Sequence, residues 1–183
     1  MNFKGYFNEM TKAFAGADLS MLEQAVLLIR ASATRGGKII LVGNGASAAI
    51  ASHVAVDFTK TAGIRAINFN EADLITCLAN DHGYEHWVEK ALDFYADPND
   101  LLILISSSGM SPNIINAALY AKTKKISFIT FSGFRPDNCL RQLGEINFWV
   151  NSKKYNIVET VHQTWLLALV DMLAEEKQKK KGL

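Results

Sequence analysis

The chain has 183 residues and a formal net charge of +1, with 49% hydrophobic and 20% charged residues. These values are typical of one soluble globular domain with a substantial core, and they give no reason to expect a nucleic-acid or acidic-surface partner. Because no apolar run approaches the ~20 residues of a membrane span and the N-terminus lacks a secretory leader pattern, the sequence predicts a cytoplasmic protein without membrane partners.

Two helical patterns precede the first predicted strand. Apolar side chains recur at spacings of three and four over residues 3–14, which predicts an amphipathic helix. Residues 18–34 predict a second helix, with Asp18 or Ser20 as its N-cap and a Gly-Gly pair as its stop signal. The apolar faces of both helices must pack on the sheet or on a neighbouring subunit.

Beyond these helices, short apolar runs alternate with helical patterns. The apolar runs predict five strands, at 38–43, 64–69, 100–106, 125–133 and 146–150. The patterns between them predict helices, at 46–61, at 71–95 with a break near ANDHGYE, at 112–123 and at 155–178. This alternation is typical of an open parallel sheet covered by helices. The sequence therefore predicts an α/β fold: a single domain, 1–183, built as a three-layer α-β-α sandwich with a five-stranded parallel sheet.

Two loops that follow predicted strands combine small residues with hydroxyl groups. GNGASA (43–48) and SSSGMS (106–111) each open a helix. A helix N-terminus presents unpaired N–H groups and partial positive charge, and glycine lets an anion approach the backbone closely. Since ligands of such sheets bind at the carboxyl ends of the strands, the two loops together predict a site for a phosphate-bearing small molecule. Taken singly, each loop also fits an ordinary helix cap.

Neither loop carries a nucleotide-binding motif. The P-loop pattern GxxxxGK[ST] is missing, and Ala48 stands where GxGxxG requires its third glycine. No acidic residue ends the second predicted strand, as a dinucleotide site would require. We therefore expect no nucleotide cofactor.

The segment LVGNGASA, with a histidine and an aspartate on the helix that follows it, and the segment ISSSGMSPNIINAA resemble the sugar isomerase (SIS) domain family. Within that family, the chain most resembles the phosphoheptose isomerase (sedoheptulose 7-phosphate isomerase) branch. The similarity extends to LANDHGYEHWVEK and to the last helix, which starts at YNIVETVHQ. It implies a flavodoxin-like SIS fold and a homotetramer with sites shared between subunits, in which the N-terminal helices (1–35) take part in oligomerisation.

The resemblance also implies a set of residues that bind the sugar phosphate. The first loop would supply Asn44, Gly45 and Ser47, and Asp81 would contact sugar hydroxyls. The phosphate would be held by Ser106, Ser107, Ser108 and Ser111.

The residues expected to carry the chemistry depart from the family pattern. The family has a histidine and a glutamate four residues apart after the first loop; here these positions are His53 and Asp57, whose spacing suits a shared proton or a metal ion. On the last helix, the family has a glutamine and, two turns later, a histidine. Those positions here are Glu159 and Leu167, and His162 lies three residues after Glu159 on what we expect to be the same face.

An aldose–ketose isomerase needs a base that removes a proton next to a carbonyl and a partner that handles the hydroxyl proton. Glu159 or Asp57 could be the base, and His162 or His53 the partner. A Zn²⁺ ion held by His53, Asp57 and Glu159 could stabilise the enediolate. The sequence thus predicts an isomerase of sedoheptulose 7-phosphate or a related sugar phosphate. Because Leu167 replaces a histidine, the alternative is a non-catalytic phosphosugar-binding or protein-assembly module.

Overall fold

A computed structural model describes residues 2–181, and its architecture confirms the predicted α/β fold. The strands are β1 (Ile39–Gly43), β2 (Ala66–Asn68), β3 (Leu101–Ser106), β4 (Ser127–Ser132) and β5 (Ile146–Trp149). The helices are α1 (Phe3–Phe14), α2 (Leu19–Thr34), α3 (Ala46–Asp57), α4 (Ala72–His82), α5 (Trp87–Tyr95), α6 (Pro112–Lys124) and α7 (Tyr155–Lys181). A π-helical turn, Phe58–Ala62, extends α3, and a 3₁₀ turn, Leu140–Gln142, precedes β5.

The helix boundaries follow from local capping groups. The carboxylate of Asp18, not the hydroxyl of Ser20, caps α2 and accepts a hydrogen bond of 2.9 Å from the Ser20 N–H. Gly83, with a φ of +85°, ends α4 and accounts for the break predicted near ANDHGYE. Lys125 ends α6 with a φ of +58°, so β4 begins at Ser127 and not at residue 125.

The sheet separates two hydrophobic cores, because successive side chains of a strand point to opposite faces. On one face, Ile39, Leu41 and Ile103 pack with the apolar sides of α2, α3 and α7. On the other face, Ile40 and Leu102 pack with α5 and α6. All three central strands are buried on both faces, as their continuous apolar sequences predict.

Helix α7 is the central helix of the first face. Within residues 2–181 it is the one helix long and apolar enough to cross a membrane, with a mean hydropathy of 1.2 over the best window. This finding corrects the expectation that no apolar run approaches the length of a membrane span. Since 56% of that window is buried inside the fold, its apolar character is explained by packing in the core.

The strand order is β2-β1-β3-β4-β5, with every neighbouring pair parallel. The direction of strand addition reverses between β1 and β3, and their register places Gly43 beside Ile105. The loop that follows β1 and the loop that follows β3 therefore lie side by side at the topological switch point, where open α/β sheets bind ligands.

Candidate functional site

The loops after β1 and β3 are joined by a pair of side-chain amides. Asn44 and Asn113 exchange two hydrogen bonds, each of 2.9 Å, and Asn113 is 1% exposed in the first turn of α6. The Tyr84 hydroxyl donates a third hydrogen bond, of 3.1 Å, to Oδ1 of Asn44. These contacts fix the spacing between the two loops, and they occupy the amide of Asn44 with protein partners.

A cavity of about 310 Å³ lies between the two loops and the start of α7. Its lining consists of Asn44, Gly45, Ala46, Ser47, Ile105, Ser106, Ser107, Ser108, Ser111, Tyr155 and Glu159. The structure thus brings together all the predicted phosphate-binding residues except Asp81. No Lys, Arg or His belongs to this lining, so an anion in the cavity would be held by hydroxyl groups and by backbone N–H groups.

Two glycines shape the cavity through left-handed backbone conformations. Gly45 stands at the start of α3 with a φ of +55°, and beyond its neighbours along the chain no atom of residues 2–181 lies within 4 Å of the position its Cβ would take. Gly109 has a φ of +65°, and a Cβ there would lie 1.9 Å from Oδ1 of Asn138. Gly45 therefore keeps the first loop open to a ligand, whereas Gly109 lets the second loop pack on Asn138.

The serine hydroxyls of the second loop are hydrogen-bonded within the site. The Oγ atoms of Ser106 and Ser111 lie 3.0 Å apart, and Oγ of Ser108 accepts a hydrogen bond of 3.2 Å from the Met110 N–H. Ser107 donates to Oε1 of Glu159 at 3.3 Å. This last contact places a carboxylate at the edge of a cavity that is otherwise uncharged.

Glu159 also borders a second pocket, of about 440 Å³, between α3 and α7. The second pocket is lined by Ala46, Ala49, Ile50, His53, Asn156, Glu159, Thr160 and Gln163. Nε2 of His53 lies 3.2 Å from Oδ2 of Asp57, and Nδ1 of His53 lies 3.1 Å from Nε2 of Gln163. The predicted pairing of His53 with Asp57 on one helix face is therefore present, and His53 and Glu159 share one pocket.

The position of His162 corrects the prediction that this residue and Glu159 form an acid/base pair. His162 is 0% exposed, lines neither pocket, and packs edge-on against Phe131. Its Nε2 lies 3.0 Å from the Ser132 carbonyl oxygen, and Nδ1 has no hydrogen-bond partner among the described residues. Burial lowers the pKa of His162 to about 4, so the imidazole is neutral near pH 7 and has no route to a substrate in the cavity.

Asp81 is likewise not at the cavity of its own chain. It lies exposed in the last turn of α4 and accepts a hydrogen bond of 2.9 Å from the neighbouring Asn80 side chain. Within one chain, Asp81 does not line the cavity, and its contact with the sugar stays a prediction. The same segment instead contributes Tyr84, through its bond to Asn44.

The predicted Zn²⁺ ligands do not converge. Within residues 2–181, no three His, Cys, Asp or Glu side chains are placed so that they could hold one metal ion. Both ring nitrogens of His53 contact protein groups, and Glu159 is bonded to Ser107. The set His53, Asp57 and Glu159, as placed in one chain, does not fit a zinc site.

Sequence reasoning missed four residues at the site: Asn113, Tyr84, Tyr155 and Gln163. Asn113 directly follows Pro112 in the segment that carries the second loop, and Tyr155 is the first residue of α7. Gln163 lies four residues after Glu159, which is the spacing that keeps two residues on one helix face. The spacing of three residues between Glu159 and His162 fits the same rule, so the sequence did not single out Gln163.

Comparison with known proteins places the chain among phosphosugar proteins. Residues 2–133 match the family model described as SIS domain. The chain is 31% identical to the phosphoheptose isomerase of Thermodesulfovibrio yellowstonii over 180 residues, which cover 93% of this chain and 89% of that protein. It is also 31% identical to the phosphoheptose isomerase of Glaesserella parasuis over 151 residues, or 79% and 78% of the two chains.

Comparison of the fold with solved structures leads to the same family. The structure of phosphoheptose isomerase from Neisseria gonorrhoeae superposes with a TM-score of 0.83 at 26% identity, covering 93% of this chain and 96% of that one. The chain belongs to the SIS domain family, in its phosphoheptose isomerase branch.

Proposed function

We propose that this chain is an aldose–ketose isomerase that acts on sedoheptulose 7-phosphate or a closely related sugar phosphate. The observation that carries the proposal is the position of Glu159. Its carboxylate borders both the serine-lined cavity and the pocket of His53. A sugar phosphate with its phosphate in the cavity would therefore extend its carbon chain past Glu159 toward His53.

The phosphate would be bound without a cationic side chain. Ser106, Ser108 and Ser111 supply hydroxyl groups, and the starts of α3 and α6 supply backbone N–H groups and partial positive charge. Tyr155 forms the remaining wall of the cavity. Its ring lies edge-on against the ring of Phe134, with the two ring centroids 4.8 Å apart. Binding energy from the phosphate would position the distant carbonyl for reaction.

Glu159 would act as the base. In the ketose-to-aldose direction, its carboxylate removes a proton from carbon 1, which gives an enediol intermediate, and returns the proton to carbon 2. His53, oriented by Asp57, would move a proton between the oxygen atoms on carbons 1 and 2. Atoms and charge balance over the cycle, and no redox partner is required.

The direct test is turnover of sedoheptulose 7-phosphate by the purified chain, followed as formation of an aldose phosphate. Parallel assays with added Zn²⁺ and with a chelator test whether the reaction needs the Zn²⁺ ion that the sequence predicts. We expect Glu159→Gln to lower kcat by about 10²–10⁴-fold while sugar-phosphate binding persists. Thr160→Val is a matched control, because Thr160 lines the pocket of His53 and, among the described residues, its hydroxyl donates just to the Asn156 carbonyl of its own helix.

A second candidate function is a non-catalytic phosphosugar-binding or protein-assembly module. It is favoured by Leu167, whose apolar side chain packs against the core and cannot transfer a proton. Binding of sedoheptulose 7-phosphate without turnover under any of these conditions would support this second function.

We also propose a homotetramer, in which the N-terminal helices and α7 form interfaces. Phe3 and Phe7 on α1 are 84% and 62% exposed, and Leu19, Leu27 and Met172 line a groove of about 520 Å³ between α2 and α7. Exposed apolar surface of this kind marks association sites. Light scattering of the wild type and of Leu27→Glu tests the proposal.

A cytoplasmic location stays a prediction from the sequence.

A further inference from the structure

Three residues of α7 form a column along the border between its buried and exposed faces. Glu159, Gln163 and Leu167 are spaced by four residues, and all three are partly buried. Leu167 packs against the hydrophobic core, which leaves Gln163 as the next polar residue after Glu159 along this column. Gln163 and Glu159 both line the pocket that contains His53.

The contacts of His53 define which ring nitrogen carries the proton. The Asp57 carboxylate, 3.2 Å from Nε2, can only accept a hydrogen bond when it is ionised. The Gln163 amide nitrogen, 3.1 Å from Nδ1, can only donate. A neutral His53 in this arrangement carries its proton on Nε2 and accepts at Nδ1.

Nδ1 is also the nitrogen on the pocket side of the ring. Gln163, its partner, lines the pocket together with Glu159, whereas Asp57, the partner of Nε2, is not part of that lining. A hydroxyl group that entered the pocket could donate to Nδ1 in place of the Gln163 amide. The lone pair of His53 is thus held toward the space next to Glu159.

We infer that Gln163 is a positioning residue: together with Asp57, it fixes the tautomer and the ring orientation of His53, so that the accepting Nδ1 faces the sugar site. The kinetic consequence of this role rests on the proposed isomerase function. The tautomer itself does not, because it is a property of the protein without substrate.

The tautomer can be measured by long-range ¹H–¹⁵N NMR on the full chain with ¹⁵N-labelled histidines, at an alkaline pH where imidazole is neutral. The His53 signals are assigned by their loss in His53→Gln. We expect wild-type His53 to carry its proton on Nε2. Gln163→Leu should raise the share of the tautomer protonated on Nδ1, because the amide that donates to Nδ1 is gone while Asp57 still accepts from Nε2. Gln163→Glu should raise that share further, since a carboxylate then accepts at each ring nitrogen. Thr160→Val should leave the spectrum unchanged.

The kinetic arm separates this inference from the proposed function. If the chain is an isomerase, Gln163→Leu should lower kcat about 10-fold with KM changed less than about twofold, since the loss is one of orientation and not of phosphate binding. A wild-type chain without turnover would overturn the isomerase proposal and leave the NMR result standing. A wild-type proton on Nδ1, or an unchanged His53 spectrum in Gln163→Leu, would overturn the role of Gln163.

Discussion

Asn44 and Asn113, 69 residues apart in the sequence, exchange two hydrogen bonds of 2.9 Å and so tie the loop after β1 to the first turn of α6. Each amide uses its donor for the oxygen of the other. The pair crosses the topological switch point of the sheet. The distance between these two loops therefore depends on a contact between two neutral side chains.

Removing this pair should weaken both stability and ligand binding. Asn113→Ala leaves the Asn44 amide without its buried partner, which we expect to lower the free energy of unfolding by about 1–3 kcal/mol. Binding of inorganic phosphate should weaken as well, because the loops are no longer held together. Urea denaturation and calorimetric titration measure the two effects. Asn116→Ala on the same helix, which removes only an exposed bond to the Glu85 carbonyl, is the control and should change neither by much.

The two loop glycines should respond differently to a methyl group. Gly109→Ala places Cβ 1.9 Å from Asn138, at a φ of +65°, so the second loop must move. Gly45→Ala has a φ of +55° with a ψ of −122° and open space, so it incurs only backbone strain, of roughly 1–3 kcal/mol. We expect Gly109→Ala to lower the melting temperature more than Gly45→Ala does. Equal shifts in melting temperature for the two variants would show that packing on Asn138 does not determine the conformation of the second loop.

An ion pair just before the amino ends of β1 and β3, at the end of the sheet away from the cavity, should affect stability without affecting the site. Asp100 is 3% exposed and accepts from the backbone N–H and from the ammonium group of Lys38, the latter at 2.6 Å. Burial alone would lower the pKa of Lys38, but its bonds to Asp100 and Asp97 raise it. Asp100→Ala leaves Lys38 paired with the exposed Asp97 and removes the buried acceptor of the Lys38 backbone N–H, so it should cost about 1–3 kcal/mol in urea denaturation. Phosphate affinity of the folded fraction should equal that of the wild type.

The strands and loops were predictable because their signals are local. The sequence LLILI followed by SSSGMS marks a buried strand and a hydroxyl-rich helix start within a dozen residues, and the structure has both. The Asn44–Asn113 pair has no local signal, since it depends on the order of β1 and β3 in the sheet. Asp81 lies beside a local signal, Gly83, which ends α4, but the distance of that helix end from the cavity depends on tertiary packing.

The residues of α7 show why part of the site was assigned wrongly. From Glu159, a step of three residues turns the helix by about −60° and a step of four by about +40°. The first step leads to His162 in the core, and the second leads to Gln163 at the pocket. Which direction faces the site is decided by how α7 packs on the sheet and on α3. That packing is tertiary, so the spacing alone favoured neither residue.

The buried imidazole of His162 predicts a loss of stability in acid. Its pKa is about 4 in the folded chain, below the value of 6.5 expected for an exposed histidine, because burial disfavours the charged ring. Between these two values the unfolded chain binds more protons than the folded chain, so the free energy of unfolding falls as the pH falls from about 6.5 to about 4. The full loss of free energy of unfolding due to His162 is on the order of 3 kcal/mol, and above pH 6.5 this loss is absent. Urea denaturation of His162→Leu across this range should show a shallower pH dependence than the wild type. Parallel curves for the two proteins would mean that other groups cause the acid sensitivity.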